Sequence, residues 1–163
     1  MAANTTRAVE KLKFDLKQLK YELEVNLERE LESAAFEMTE KAKKRIVVDG
    51  RTAYTKKMGY KDKKHIRARQ KAGLQTAYKD LYFTGAMMDS YMPQEPKSKV
   101  KGVISMTVDV ADNQKYKVDG LSSQYNLSPD KTVVDPTEKE NREAQNRVDR
   151  WIARLVKKYK LIE

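Results

Sequence analysis

Residues 6–46 read TRAVEKLKFDLKQLKYELEVNLERELESAAFEMTEKAKKRI. Apolar side chains fall at Val9, Leu12, Leu16, Leu19, Leu23, Leu27, Leu31, Ala34, Met38, Ala42 and Ile46. Every step is three or four residues, which keeps them on one stripe of a helix. Glu and Lys fill the other positions, and pairs such as Glu24–Glu28 and Glu37–Lys41 stand on exposed faces. Neither Pro nor Gly interrupts the run. At ~1.5 Å per residue such a helix spans ~60 Å, more than the width of a small domain. Part of the stripe is therefore expected to seek another subunit. Steps of four outnumber steps of three, so the pattern is not the strict heptad of a two-stranded coiled coil.

Working outward, Asp49-Gly50 ends this helix or makes a tight turn. Val47-Val48 and Thr52-Ala53-Tyr54 flank it, which allows a short hairpin. Residues 51–80 then hold ten Lys/Arg against Asp62 and Asp80, so this window carries most of the chain's net charge of +10. Residues 63–78 have helical spacing, with Ile66, Gln70, Leu74, Ala77 and Tyr78 on one side, weakened by Gly73. Thr84 is placed to cap a short helix through Met87, Met88 and Tyr91, closed by Pro93. Residues 93–99 read as a linker. Residues 100–110 alternate as a half-buried strand, with Ile104, Met106, Val108 and Val110 on one face. Ala111 to Gln114 supply a turn, residues 115–118 a returning strand, and residues 120–131 a polar loop. Asp135-Pro136-Thr137-Glu138 opens a last helix, with Asp135 as N-cap and Glu138 completing a capping box. Ala144, Val148, Trp151, Ile152, Leu155, Val156 and Tyr159 line its apolar face. The order predicts one α+β domain over residues 1–163: a long N-terminal helix at 6–46, a basic insertion at 51–80, then a short helix, a small antiparallel sheet and a C-terminal helix within 84–163.

At 163 residues the chain is one domain in length, with 39% apolar and 36% charged residues. It has no cysteine, which removes disulfides, thiolate zinc sites and thiol nucleophiles. No stretch is apolar enough for a signal peptide or a membrane span, so a soluble chain made in the cytoplasm, without membrane contact, is expected. His65 is the only histidine and sits among lysines and arginines, with no carboxylate nearby in sequence to orient it. Asp109 and Asp112 read as strand face and turn former before they read as metal ligands. No Gly-rich phosphate loop is present. No enzyme, no catalytic residue, no metal site and no cofactor is expected. The basic window interleaves Tyr54, Tyr60 and Tyr78 with its cations, and Tyr82 and Phe83 follow. Such a mixture suits phosphate contacts and base stacking, or docking on an acidic protein. Lys56, Lys57, Lys63, Lys64, Arg67 and Arg69 are the candidate residues facing a partner or DNA.

The order of these elements, with several short motifs, resembles the tail-completion, or head–tail joining, proteins of tailed bacteriophages. In that family a long helix leads to an Asp-Thr-Gly motif, with a long apolar residue two places on and Ser three further. Phe83-Thr84-Gly85-Ala86-Met87-Met88-Asp89-Ser90 matches at Thr84, Gly85, Met87 and Ser90, and departs at Phe83. Residues 103–110 and Tyr116-Lys117-Val118-Asp119-Gly120 look like the family's strand and its tyrosine-bearing strand ending in an acid-Gly pair. Asp135-Pro136-Thr137 resembles its proline-marked last helix. The basic window is longer than the family's usual connection there. The resemblance implies a structural virion protein of the neck or upper tail, made in the host cytoplasm. It would form a ring homo-oligomer that joins the portal or adaptor to tail proteins, with possible non-specific contact with DNA in the channel. Thr84 and Gly85 would be a structural turn. The alternative from the residues alone is a basic nucleic-acid-binding accessory protein.

Overall fold

The computed structural model describes residues 2–54, 58–60, 62–81, 85–94 and 106–159. The fold is mixed and mainly helical. Helix α1 (Ala2–Val47) runs 46 residues without a break, ~70 Å at the standard rise. Its end is set by Gly50, whose φ of +64° is the left-handed conformation that glycine adopts without a Cβ penalty. The Gly50 N–H donates to the Ile46 carbonyl at 3.1 Å, an αL cap on the last turn. The hairpin allowed around residues 49–50 does not form. The Met58 N–H donates to the Gly50 carbonyl instead.

Helix α5 (Glu138–Lys158) returns along α1. The direction is set by ion pairs: Glu140 meets Arg45, Glu143 meets Lys41, Arg147 meets Glu37 and Lys158 meets Glu22. Residue numbers fall on α1 as they rise on α5, so the two are antiparallel. The N-cap is Thr137, not Asp135. Thr137 accepts from the Glu140 N–H while the Glu140 carboxylate accepts from the Thr137 N–H, a full capping box two residues later than the sequence suggests. Asp135 is used elsewhere: it accepts from the Thr132 N–H and hydroxyl and from the Tyr54 hydroxyl.

The core lies at the C-terminal third of α1. Ala42 and Ile46 meet Met58, Met87, Met88, Tyr91, Val110, Val118, Val133 and Val134 there. Met87 and Met88 come from the short helix α3 (Ala86–Asp89). Tyr91 is fully buried, and its hydroxyl donates to the Val134 carbonyl at 2.7 Å. This removes the cost of burying a hydroxyl without a partner.

The sheet is antiparallel and small, but its strands are not the expected pair. Strand β1 (Met92–Gln94) pairs with β2 (Thr107–Asp109), in register Met92↔Asp109, Pro93↔Val108 and Gln94↔Thr107. Pro93 thus stands in a strand, not in a linker. A two-stranded ladder tolerates it because the missing N–H can fall on the unpaired side. Residues 115–118 do not return as a strand. They begin helix α4 (Lys115–Gln124), which also takes up part of the expected polar loop. The alternation there is only four residues long. Val118 and Ser122 are buried, with Leu121 and Tyr125 packed beside them, and that spacing is helical. The strand expected over residues 100–105 lies outside the described residues.

Candidate assembly and binding surfaces

Two surfaces stand out, at different ends of α1. The first is its N-terminal half. Lys158 and Tyr159 close α5 on Glu22, where the Tyr159 hydroxyl donates to the carboxylate at 2.6 Å. α1 continues for twenty residues before that point, ~30 Å. On this overhang Val9 is 45%, Leu12 50% and Leu16 47% exposed, whereas Ala42 and Ile46 on the same helix are fully buried. Leu19, Leu23, Leu27 and Leu31 lie between as half-buried residues. Exposure along the stripe therefore falls from one end to the other.

The seam that α1 makes with α5 mixes contacts of unequal weight. Arg45 and Glu140 are 13% and 10% exposed in their side chains, and two guanidinium nitrogens reach the carboxylate at 2.9 and 3.1 Å. Burial alone would push the Glu140 carboxyl up. The Arg45 and Thr137 hydrogen bonds, with the Arg45 charge, outweigh it and hold the group below its ordinary value. Lys41–Glu143 and Arg147–Glu37 are much more exposed and contribute little each, as surface pairs do.

The second surface is the basic segment. Helix α2 (Lys63–Lys71) starts on Asp62, whose side chain accepts from the Lys64 N–H at 2.8 Å. It ends at Lys71, so Leu74, Ala77 and Tyr78 are not on it. Gly73 follows at φ +68°. Lys63, Lys64, Arg67 and Lys71 are exposed on this helix. Arg69 is not a partner-facing cation. Its side chain is 1% exposed and pairs with Asp80, itself 7% exposed, at 2.6 Å. Its Nε donates to the Gln75 carbonyl, and Gln75 in turn donates to Asp80 and to the Tyr78 carbonyl. Asp80 is what makes this possible: burying an arginine is tolerated only when it is paired and hydrogen-bonded.

This network ties the segment to the end of α1. The Tyr78 hydroxyl donates to the carbonyls of Val47 and Val48, two of the acceptors a helix end leaves open. The Lys79 N–H donates to the Met58 carbonyl. The tyrosines are consequently engaged within the chain and do not form the expected stacking row. Tyr60 lies beside Arg69, its ring 5.4 Å from the guanidinium carbon, and 5.3 Å from the His65 ring. Burial, with the Asp80 charge adding, pushes the Tyr60 hydroxyl up to about 12. The Tyr54 hydroxyl is likewise pushed up to about 12 by burial and its bond to Asp135. Lys56, Lys57, Tyr82, Phe83 and Thr84 lie outside the described residues.

The turn before α3 has Gly85, not Thr84, at the N-cap position, with φ +79°. Ser90 closes this unit: its hydroxyl donates to the Met87 carbonyl and accepts from the Ala111 N–H. Asp109 and Asp112 converge on one cation, Lys115, at 2.7 and 3.2 Å. The bond to Asp109, then that to Asp112, holds the Lys115 ammonium above its ordinary range. Among the described residues, no three acidic or histidine side chains gather to hold a metal ion, and no helix is long and apolar enough to cross a membrane.

The sequence reading missed the Arg69–Gln75–Asp80 network. The signal it overlooked was Arg69 three residues after Ile66, on the face of α2 turned inward. Comparison with protein-family models, with curated proteins and with solved structures finds no match.

Proposed function

We propose that this chain is a structural virion subunit of a tailed phage. It assembles in a ring in the neck or upper tail and joins the portal or adaptor to the tail. The observation that carries the reading is the α1 overhang. Val9, Leu12 and Leu16 leave the domain on a stiff helix and have no cover within the chain. Burying such side chains contributes about 1.5–3 kcal/mol each, an incentive that only a second chain can realise. The Gly85 turn, the Met87 and Ser90 positions and the order of elements support the same reading. One motif does not: Tyr116 to Gly120 lie in α4, where the resembled family has a strand.

Electron microscopy and light scattering on the purified protein, with mass spectrometry of virions whose genome carries the gene, test this. Rings, or a defined oligomer, and presence in the virion are expected. A stable monomer that is also absent from virions overturns the proposal.

The exposed cations of α2 favour a second reading, a basic nucleic-acid-binding accessory protein. Lys63, Lys64 and Arg67 replaced by Gln separate the two, with Arg69 left alone because its loss strands Asp80 inside the fold. A nucleic-acid binder loses most of its affinity, and its salt dependence flattens by about one counterion per phosphate contact removed. A neck protein keeps weak DNA binding and shows its defect in the yield of joined particles.

A further inference from the structure

Helix α1 carries two separate apolar patches of opposite charge character. The first is the overhang stripe, Val9, Leu12 and Leu16. Residues 6–20 hold five Lys/Arg against two acids. The second patch is Tyr21, Val25 and Phe36, which are 62%, 55% and 55% exposed. Residues 21–40 hold seven Glu against Arg29 alone. At ~100° per residue the two patches point to roughly opposite sides of the helix. Large apolar side chains on the side away from the stripe are not accounted for by the fold, since α5 packs along the stripe. Lys13 and Lys17 beside the first patch, and Glu28 and Glu32 beside the second, make no ion pair among the described residues.

We infer that the two patches are the two halves of one interface between copies of this chain. The basic overhang of one copy seats on the acidic back face of α1 in the next. The occupant is a second copy because the two patches complement each other in both respects: each is apolar, and their flanking charges are opposite. Since the patches differ, the contact is heterologous. Each subunit then has one patch left for a further neighbour, which produces a closed ring or an open filament and not a two-fold dimer. The patch centres lie about fifteen residues apart, so parallel neighbouring helices are staggered by roughly 20 Å and tilted to the ring axis. The inference rests on self-assembly as proposed above, and adds which surfaces carry it.

Charge reversal tests it, read by sedimentation velocity across a concentration series. One variant carries Lys13→Glu and Lys17→Glu, the other Glu28→Lys and Glu32→Lys. All four sites are exposed or half-exposed on a helix, and circular dichroism checks that each variant folds. The wild type is expected to associate, and each variant alone to do so about tenfold more weakly or worse, because like charges then face each other. Mixing the two variants is expected to restore assembly. Every contact between unlike copies again pairs opposite charges, while contacts between like copies stay repulsive. An assembling wild type that neither variant weakens, or variants whose mixture stays dissociated, overturns this interface and leaves the ring reading standing. A wild type that remains monomeric overturns the interface too, and the virion measurement then decides the ring reading separately.

Discussion

The two ends of α1 have the same kind of sequence and opposite surroundings. Val9, Leu12 and Leu16 repeat at the spacing of Ala34, Met38, Ala42 and Ile46, and nothing in the pattern changes between them. At the C-terminal end five other segments converge, and Ala42 and Ile46 are fully buried. At the N-terminal end the stripe stands in water. A 3.6-residue period reports that one side of a helix is apolar. Whether that side is covered by the same chain or by another depends on where the remaining elements stop, and here α5 stops at Glu22.

The largest expected difference between the ends is in packing. Ile46→Ala removes a fully buried side chain from the core and is expected to cost about 2–5 kcal/mol. Chemical denaturation at low protein concentration measures it. An Ile46→Ala variant as stable as wild type would mean that the C-terminal end is no better packed than the overhang.

Next comes the turn that ends the buried half. Gly50→Ala places a Cβ at a φ of +64° and within 2.1 Å of the Tyr78 ring. The ring cannot simply move away, because its hydroxyl donates to the Val47 and Val48 carbonyls. A loss of more than about 1 kcal/mol is expected from the backbone conformation alone, before the overlap. Gly73→Ala shares the positive φ but meets open space, so it should lose less. Equal losses at the two glycines would show that the Tyr78 contact is unimportant.

These positions also show what was legible in the sequence. Helix α1 could be read almost to the residue because forty residues of unbroken period leave no competing structure. Its stop at Gly50 and the existence of α5 were also readable. The partner of β2 was not, since three-residue strands carry too little pattern to name their neighbours, and Pro93 reads as a breaker until the ladder shows an open side. Residues 115–118 were misread because four alternating residues fit a strand or one turn of helix equally well. In the basic segment, charge hid structure. Arg69 has the same composition signal as Arg67, and only Asp80, eleven residues away, distinguishes a buried ion from a solvated one. Thr84, Lys56 and Lys57 lie outside the described residues.

The seam that divides the covered half of α1 from the uncovered half should be sensitive to acid. Glu140 is held low against its burial by Arg45 and Thr137, Glu37 by Lys41 and Arg147, and Glu143 by Lys41. Hydrogen bonds from Lys158 and Tyr159 lower Glu22 in the same direction. Each folded value lies below the ordinary 4.5. Their stabilisation is therefore complete above 4.5 and is lost as pH falls through the lower folded values. Trp151, the only tryptophan, lies half-buried on α5 and reports on the seam. Its emission should move to the red, and the melting temperature should fall, below about pH 4.5. Glu140→Gln should flatten part of that dependence. A melting temperature indifferent to pH from 7 to 3 would remove the ion pairs from the account of how α5 holds α1.

The smallest expected effect is at the overhang. Leu12→Ala and Leu16→Ala together should change the stability of the isolated subunit by less than about 0.5 kcal/mol, the usual range for surface positions. Two reasons combine. The side chains are about half exposed in the subunit, so truncation removes little buried area. Alanine is also the best helix former, so α1 itself is not weakened. The same pair of changes should raise the concentration needed for association, because those side chains gain their burial only against a neighbour. Denaturation at low protein concentration and sedimentation at high concentration should thus disagree about this variant. At Ile46 they should agree, since its damage is already present in the single subunit. A double alanine variant that loses several kcal/mol at low concentration would show that the overhang packs within its own chain, and the contrast between the two ends of α1 would disappear.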